Sequence, residues 1–209
     1  MFGRKSKAKG HERAGASADL LVVGLGNPGD KYDGTRHNVG AEAVELMAAE
    51  RSERLSPTKE AALVAELRID ELRVVVAFPQ TFMNDSGRSV RQLAKRHGVT
   101  DWSKLLIIHD ELDLEPGVAK LKRGGGLAGH NGLKSITQHL HTQDYLRLRI
   151  GIGRPPGRQS VSDHVLRRPG KADRELLDIE IAHAAEMAAR VATEDFDALM
   201  NEFNRRPPT

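Results

Sequence analysis

The segment Leu20-Leu-Val-Val-Gly-Leu-Gly26 is a continuous apolar run, halted at once by Asn27-Pro28-Gly29. Apolar residues at successive positions, instead of every second one, describe a strand covered on both faces. Asn-Pro-Gly is a turn signal. A chain that opens this way is expected to build a sheet between layers of helices, with a loop at the carboxyl end of its first central strand. In an open α/β sheet that edge is where ligands sit.

The rest of the pattern agrees. Residues 40–52 carry apolar side chains at helical spacing, and 62–69 with 72–78 flank Asp70-Glu71 as a hairpin. Asp85 or Ser86 is expected to cap a helix running to about His97, ended by Gly98. A second buried strand is expected over 104–112, and an alternating one over 118–123. The loop 124–132 leads into a helix over 133–140, and 145–153 alternates basic and apolar residues, as a strand with one polar face does. Helices over 171–194 and 196–204 close the chain. The fold class is α/β, with a mostly parallel sheet and one antiparallel element. With 209 residues, 39% of them hydrophobic, one sizeable core is expected. It is placed in a domain over 19–205, behind a disordered basic arm over 1–18 that has almost nothing to bury.

Charge is informative only by location. The chain carries a formal +3, yet residues 1–19 alone hold five basic side chains against Glu12 and Asp19, so the remainder balances. Within 118–154, by contrast, Lys120, Lys122, Arg123, Lys134, Arg147, Arg149 and Arg154 face Asp144 alone. That segment is the candidate for a phosphate backbone. There is no cysteine, which excludes a disulfide framework, a thiolate metal site and a cysteine nucleophile. No apolar run approaches the roughly 20 residues that cross a bilayer, so a cytoplasmic protein without membrane contact is expected.

Gly24-Leu-Gly-Asn-Pro-Gly29 matches the glycine fingerprint of dinucleotide binding. That mechanism needs a helix to start at the glycines, whereas Asp30 to Asn38 is a polar loop. A sharp turn at a strand end is the better reading. The loop closes on Thr35-Arg-His-Asn38, placing His37 near a helix start and in reach of the same cleft. Ile107-Ile-His-Asp110-Glu-Leu-Asp113 brings carboxylates to the end of a buried strand, and a carboxylate beside an imidazole makes a better general base. A metal site at His109, Asp110, Glu111, Asp113 and Glu115 is opposed by strand alternation, which sends neighbours to opposite faces. Asn27, Asn84 and Asn131 punctuate loops beside these elements; each suits a turn, and each carboxamide could also serve a developing oxyanion. No serine lies in a nucleophile elbow, which leaves water as the nucleophile.

These stretches, LVVGLGNPGDKYDGTRHNVG, PQTFMNDSG, LLIIHDELDLEPGVAKLKRGGGLAGHNGLKSI and LRLRIGIGRP, resemble the bacterial-type peptidyl-tRNA hydrolases in order and spacing. The resemblance covers about residues 19 to 205. It implies a single compact domain around a twisted mixed sheet, no metal or other cofactor, a monomer without an obligate protein partner, and peptidyl-tRNA as the substrate. It further implies that His37 activates water and Asp110 orients it, that Asn27 holds substrate near the ester, and that Asn84 and Asn131 position the peptide main chain or the water. Tyr32, Phe82, Met83 and His130 would line the cleft, and Lys120, Lys122, Arg123, Lys134 and Arg149 would face acceptor-stem phosphates. Free aminoacyl-tRNA would be spared. The same fold could instead hold RNA without turnover, as related organelle splicing cofactors do. The joint presence of His37, Asp110 and the three asparagines favours the enzyme.

Overall fold

A computed structural model describes residues 17–209 and forms one seven-stranded sheet with helices on both faces. The strands are β1 (Leu20–Gly24), β2 (Ser56–Thr58), β3 (Ala62–Ile69), β4 (Leu72–Pro79), β5 (Leu105–Glu111), β6 (Ala119–Arg123) and β7 (Leu146–Gly151), in the spatial order β2-β3-β4-β1-β5-β7-β6. The four central strands β4, β1, β5 and β7 run parallel, and antiparallel pairs occupy both edges. Antiparallel pairing is thus more extensive than the single element expected. The β6–β7 pair adds to the hairpin, and β2 is too short and polar to announce itself.

The helices are α1 (Val39–Ala49), α2 (Ser86–Arg96), α3 (Asn131–Leu140), α4 (Val161–Val165), α5 (Lys171–Thr193) and α6 (Phe196–Asn204). Leu20, Val22, Leu106 and Ile108 turn one side of the sheet toward α1, α5 and α6, whereas Leu21, Val23, Leu105 and Ile107 turn the other toward α2 and α3. This double cover is why the central strands read as unbroken apolar runs. It fails at one place. On β6 and β7 the residues Ala119, Leu121, Leu148 and Ile150 enter the first core, but Lys120, Lys122, Arg147 and Arg149 occupy the opposite face, beyond α3. The polar face of 145–153 is therefore real, and it is a basic half-face of the sheet.

The turn after β1 is fixed by close packing. A Cβ on Gly24 would lie 2.0 Å from the Gly40 carbonyl oxygen, and one on Gly40 would lie 2.2 Å from that of Ile108. Leu25 N–H donates to Ile108 O and Ala41 N–H to Leu25 O, so the first turn of α1 is stitched to the ends of β1 and β5. Gly40→Ala forces these backbones apart, and a loss of about 2–3 kcal/mol is expected from overpacking. Its urea midpoint should fall accordingly; a midpoint equal to that of the parent chain contradicts the packing argument. The helix begins at Val39, ten residues after the last fingerprint glycine, which removes the geometry a dinucleotide needs.

Two boundaries differ from expectation. Ser17 and Ala18 fall within the span expected of the arm, yet Ala18 is fully buried and its N–H donates to His97 O, while Ser17 Oγ donates to Gly98 O. The tail past 205 also packs, Thr209 N–H reaching Gly117 O. The remainder of the arm, 1–16, lies outside the described residues. Asp85 takes the cap position of α2 without capping; its carboxylate pairs with Arg88 at 2.8 Å.

Candidate active site

The loop 30–38 is polar in sequence, and its first half is exposed while its second half is withdrawn from solvent. It forms two 3₁₀ turns, Asp30–Tyr32 and Arg36–Asn38, and Thr35, Arg36, His37 and Asn38 are all buried. Because β1 and β5 are parallel neighbours, the loop after β1 and the end of β5 meet at one edge of the sheet. His37 Nδ1 donates to Asp110 Oδ1 at 2.8 Å, across 73 residues of sequence. His37 Nε2 has no hydrogen-bond partner among the described residues and faces open space in a cleft of ≈ 780 Å³.

A second imidazole bonds to the same oxygen. His130 Nε2 donates to Asp110 Oδ1 at 3.0 Å, and its ring centroid is 5.0 Å from that of His37. Its tautomer follows from its other nitrogen. His130 is the N-cap of α3, and Nδ1 accepts from Gly132 N–H and Leu133 N–H at 3.1 and 3.3 Å. A nitrogen accepting two backbone donors carries no proton, so Nε2 holds it and gives it to Asp110. The cap is this histidine, while Asn131, one of the turn candidates, is the first residue of the helix.

Burial acts to raise the Asp110 pKa, but the two imidazoles, by electrostatics and hydrogen bonds, hold the carboxyl well below the ordinary range. For His37, burial pulls the pKa down, and the charge and hydrogen bond of Asp110 outweigh it, so the net shift is upward. A neutral His37 beside an ionised carboxylate keeps its proton on Nδ1. Nε2 then presents a lone pair to the cleft, as a general base requires.

Asn27 is held as firmly. Its N–H donates to Asn38 Oδ1 and its carbonyl accepts from Asn38 Nδ2, both at 2.9 Å, and its own Oδ1 accepts from Met83 N–H at 2.8 Å. Only its Nδ2 remains, open to the cleft as a donor. Asn38, next to His37 and missed as a site residue, is the clamp; only a buried contact reveals it. Tyr32 and Phe82 meet edge to face at 6.4 Å across the mouth, and Met83, Asn84 and Asn131 complete the expected lining. All nine residues expected at the cleft therefore converge there.

Three features of the wall were not foreseen. His109 lines the cleft fully buried, its Nδ1 donating to the Asp110 carbonyl at 2.7 Å; burial and the neighbouring His130 push its pKa down to about 3, so it stays neutral. Helix α4 supplies Val161, Val165 and the exposed Leu166 as an apolar side. Its signal was present in Ser160-x-x-Asp163, a capping pattern, and Ser160 Oγ accepts from Asp163 N–H at 3.1 Å. Finally, the acidic run after β5 does not converge, whereas His37, Asp110 and His130 place ligand-type atoms within 4.8 Å of one another. The two nitrogens facing Asp110 sit at hydrogen-bond distances with protons accounted for, so the three side chains satisfy one another.

The basic residues divide. Lys134 is exposed and Lys122 half-buried, neither with a side-chain partner among the described residues. Lys120 donates to Asn204 O, Arg123 pairs with Asp197 at 3.2 Å, and Arg149 lies 3.7 Å from Glu111. Arg147, counted with the basic segment, is buried and donates to the carbonyls of Gly125 and Gly126 at 2.5 and 2.7 Å. It anchors the glycine loop and takes no part in the surface.

Fold and site together define an α/β protein with an imidazole–carboxylate pair at the carboxyl edge of its sheet, beside a basic half-face. Residues 21–209 match the model of the family described as Peptidyl-tRNA hydrolase. A peptidyl-tRNA hydrolase of Cutibacterium acnes is 41% identical over 199 residues, covering 90% of this chain and 99% of that one. One of Moorella thermoacetica is 46% identical over 187 residues, covering 88% and 97%. The crystal structure of the Acinetobacter baumannii peptidyl-tRNA hydrolase superposes with a TM-score of 0.86 at 38% identity, covering 93% of this chain and all of that one. The chain belongs to the peptidyl-tRNA hydrolase family, whose function is hydrolysis of peptidyl-tRNA. Among the described residues no helix is long and apolar enough to cross a membrane.

Proposed function

We propose that this chain hydrolyses the ester joining a peptide to the terminal ribose of tRNA, with His37 as general base and Asp110 as the carboxylate that orients it. The observation that carries the assignment is the open Nε2 of His37 above a buried, ionised Asp110, in a cleft that borders a basic surface. Water held by Nε2 attacks the ester carbonyl, and the proton it surrenders is returned to the departing ribose oxygen. The free Nδ2 of Asn27 suits the oxyanion that forms in between, with Asn84 and Asn131 as the partners of peptide main chain or water. Tyr32, Phe82, Met83 and His130 shape the cleft, and the chemistry calls for neither metal nor cofactor.

The test is release of N-acetyl-aminoacyl groups from labelled tRNA with and without chelator. Cleavage is expected at equal rates in both; a rate abolished by chelator and restored by a divalent metal would make the His37, Asp110 and His130 group a metal centre and overturn the general-base assignment. Binding without cleavage would make the chain an RNA-binding relative.

The tRNA surface is assigned to Lys122 and Lys134, whose ammonium groups have no partner among the described residues, with Lys120, Arg123 and Arg149 joining once their present partners are exchanged for phosphates. Phosphate contacts carry affinity without sequence information, which suits an enzyme that accepts many tRNAs. Lys134→Ala and Lys122→Ala are expected to raise KM alike for different tRNAs, each lowering the salt slope of binding by about one. Lys120→Ala should do less, because its ammonium is engaged with Asn204. An effect confined to one tRNA would contradict the backbone reading. The protein is expected to act in the cytoplasm as a monomer; sedimentation at micromolar concentration tests the second point.

A further inference from the structure

A second cavity, of ≈ 390 Å³, lies behind α4 and shares Arg154 with the catalytic cleft. Its walls carry Arg36, Arg154, Arg167, Arg168 and His164, and its floor includes Gly170, the residue from which α5 starts. Arg36 precedes α1 and Gly170 precedes α5, so the cavity belongs to the α1/α5 side of the sheet. The basic half-face of β6 and β7 is on the α2/α3 side. A tRNA lying on that half-face leaves this cavity on the far side of the cleft, where the peptide must go.

The lining sets four guanidinium groups against the carboxylates of Asp173 and Glu115, which leaves the cavity a net positive charge. Arg36 pairs with Asp173 at 2.8 Å, and Arg154 with Asp113. Arg168 donates only to neutral acceptors, the carbonyls of Asp33 and Asp30 at 2.7 and 3.5 Å. The Arg167 guanidinium has no hydrogen-bond or ion-pair partner among the described residues. No side chain caps α5 at Gly170, and Arg36, about nine-tenths buried, has an Nε without a partner. Guanidinium groups match a carboxylate in shape as well as charge. α4 connects the two spaces: its Val161 and Val165 face the cleft, and His164 faces the cavity, with Arg167 just beyond the helix.

We propose that this cavity is a peptide subsite that takes the carboxylate of an aspartate or glutamate side chain in the peptidyl moiety, at a distance of several residues from the ester. The inference rests on the proposed hydrolysis of peptidyl-tRNA and adds to it a preference for acidic peptides. The peptide runs past Arg154 along α4, and Arg167 and Arg168 meet its acidic side chain.

The experiment measures kcat/KM for N-acetylated hexapeptidyl-tRNAs that share one tRNA and one esterified residue, with a single Asp moved along the peptide and replaced in turn by Asn and Lys. At one position Asp is expected to exceed Asn by about fivefold, the worth of one partly exposed ion pair, with Lys poorest. In Arg167→Ala the Asp-to-Asn ratio should collapse toward one, and in Arg167→Glu it should invert in favour of Lys. Arg167 is exposed, so both variants keep the fold, and thermal melting verifies it. Equal kcat/KM for Asp, Asn and Lys at every position overturns the proposal. So does an Arg167→Ala loss as large on N-acetyl-aminoacyl-tRNA as on the hexapeptides, because the cavity would then be reading tRNA phosphate. Failure of the parent chain to cleave any of these esters would sink the hydrolase reading itself, an outcome distinct from cleavage without preference.

Discussion

Alanine at position 37 lowers kcat for N-acetyl-aminoacyl-tRNA by about three orders of magnitude, with KM changing little. General-base assistance is worth about 10² to 10⁴ in rate, and no other side chain in the cleft is placed to replace it. His109 is buried and neutral but bonds to the Asp110 carbonyl, and His130 spends one nitrogen on α3 and the other on Asp110. His109 Nε2 keeps a lone pair, but it is buried out of reach of solvent and its pKa is pushed down to about 3, which makes it a poor base; His130 has no lone pair to offer without breaking an existing bond. The pH profile gives the independent check. The base works unprotonated, and its pKa in the free chain is raised from 6.5, so kcat/KM of the parent chain falls as pH drops through an inflection above that value. In His37→Ala this acid limb disappears. A variant that keeps the limb and loses only a few-fold in rate would remove His37 from the base role.

Asp110→Asn is expected to cost about 10³ to 10⁴ in kcat, by a different route. The carboxylate accepts from His37 and His130 through one oxygen. A carboxamide turned with its NH₂ toward His37 forces the proton onto Nε2, and the base then points the wrong nitrogen at water. If the amide oxygen stays in place instead, the tautomer survives but the negative charge is gone. Burial then acts on His37 unopposed, and its pKa moves down. The expected signature is therefore a lower plateau together with an acid limb shifted to lower pH. A lower plateau with an unmoved limb would mean that Asp110 does not set the His37 pKa. Thermal melts of both variants separate these effects from loss of fold.

The two substitutions also show how far a linear reading reaches. The strands β1 and β5 and the helices α1, α5 and α6 were legible from local periodicity, and His37, Asp110 and the three asparagines from residue types at strand ends and loops, whereas Tyr32, Phe82, Met83 and His130 were named only by the family resemblance. The apolar run at Leu20–Gly24 needs cover on both faces wherever it is placed. The motif around Thr35-Arg-His-Asn38 resembles the family strongly enough to name His37 before any contact is known.

What the sequence by itself determined was the main elements, short β2 and α4 excepted, together with the chemistry available at their ends and the family. The tertiary structure alone decided the partners. His37 meets Asp110 because β1 and β5 are parallel neighbours, which fixes 73 residues of separation into a 2.8 Å bond. Asn38 looks like its neighbours in the loop until its carboxamide is seen to close on both main-chain groups of Asn27. Arg147 and Arg149 occupy equivalent positions in an alternating strand, yet the glycine loop folds over the first and buries it, whereas the second stays half-exposed on the basic half-face. The His130 tautomer depends on the first turn of α3. Periodicity is a property of neighbours along the chain, and it specifies which face a side chain takes; a desolvated contact depends on what the opposite layer brings to that face, and only the packed sheet and its helices fix that.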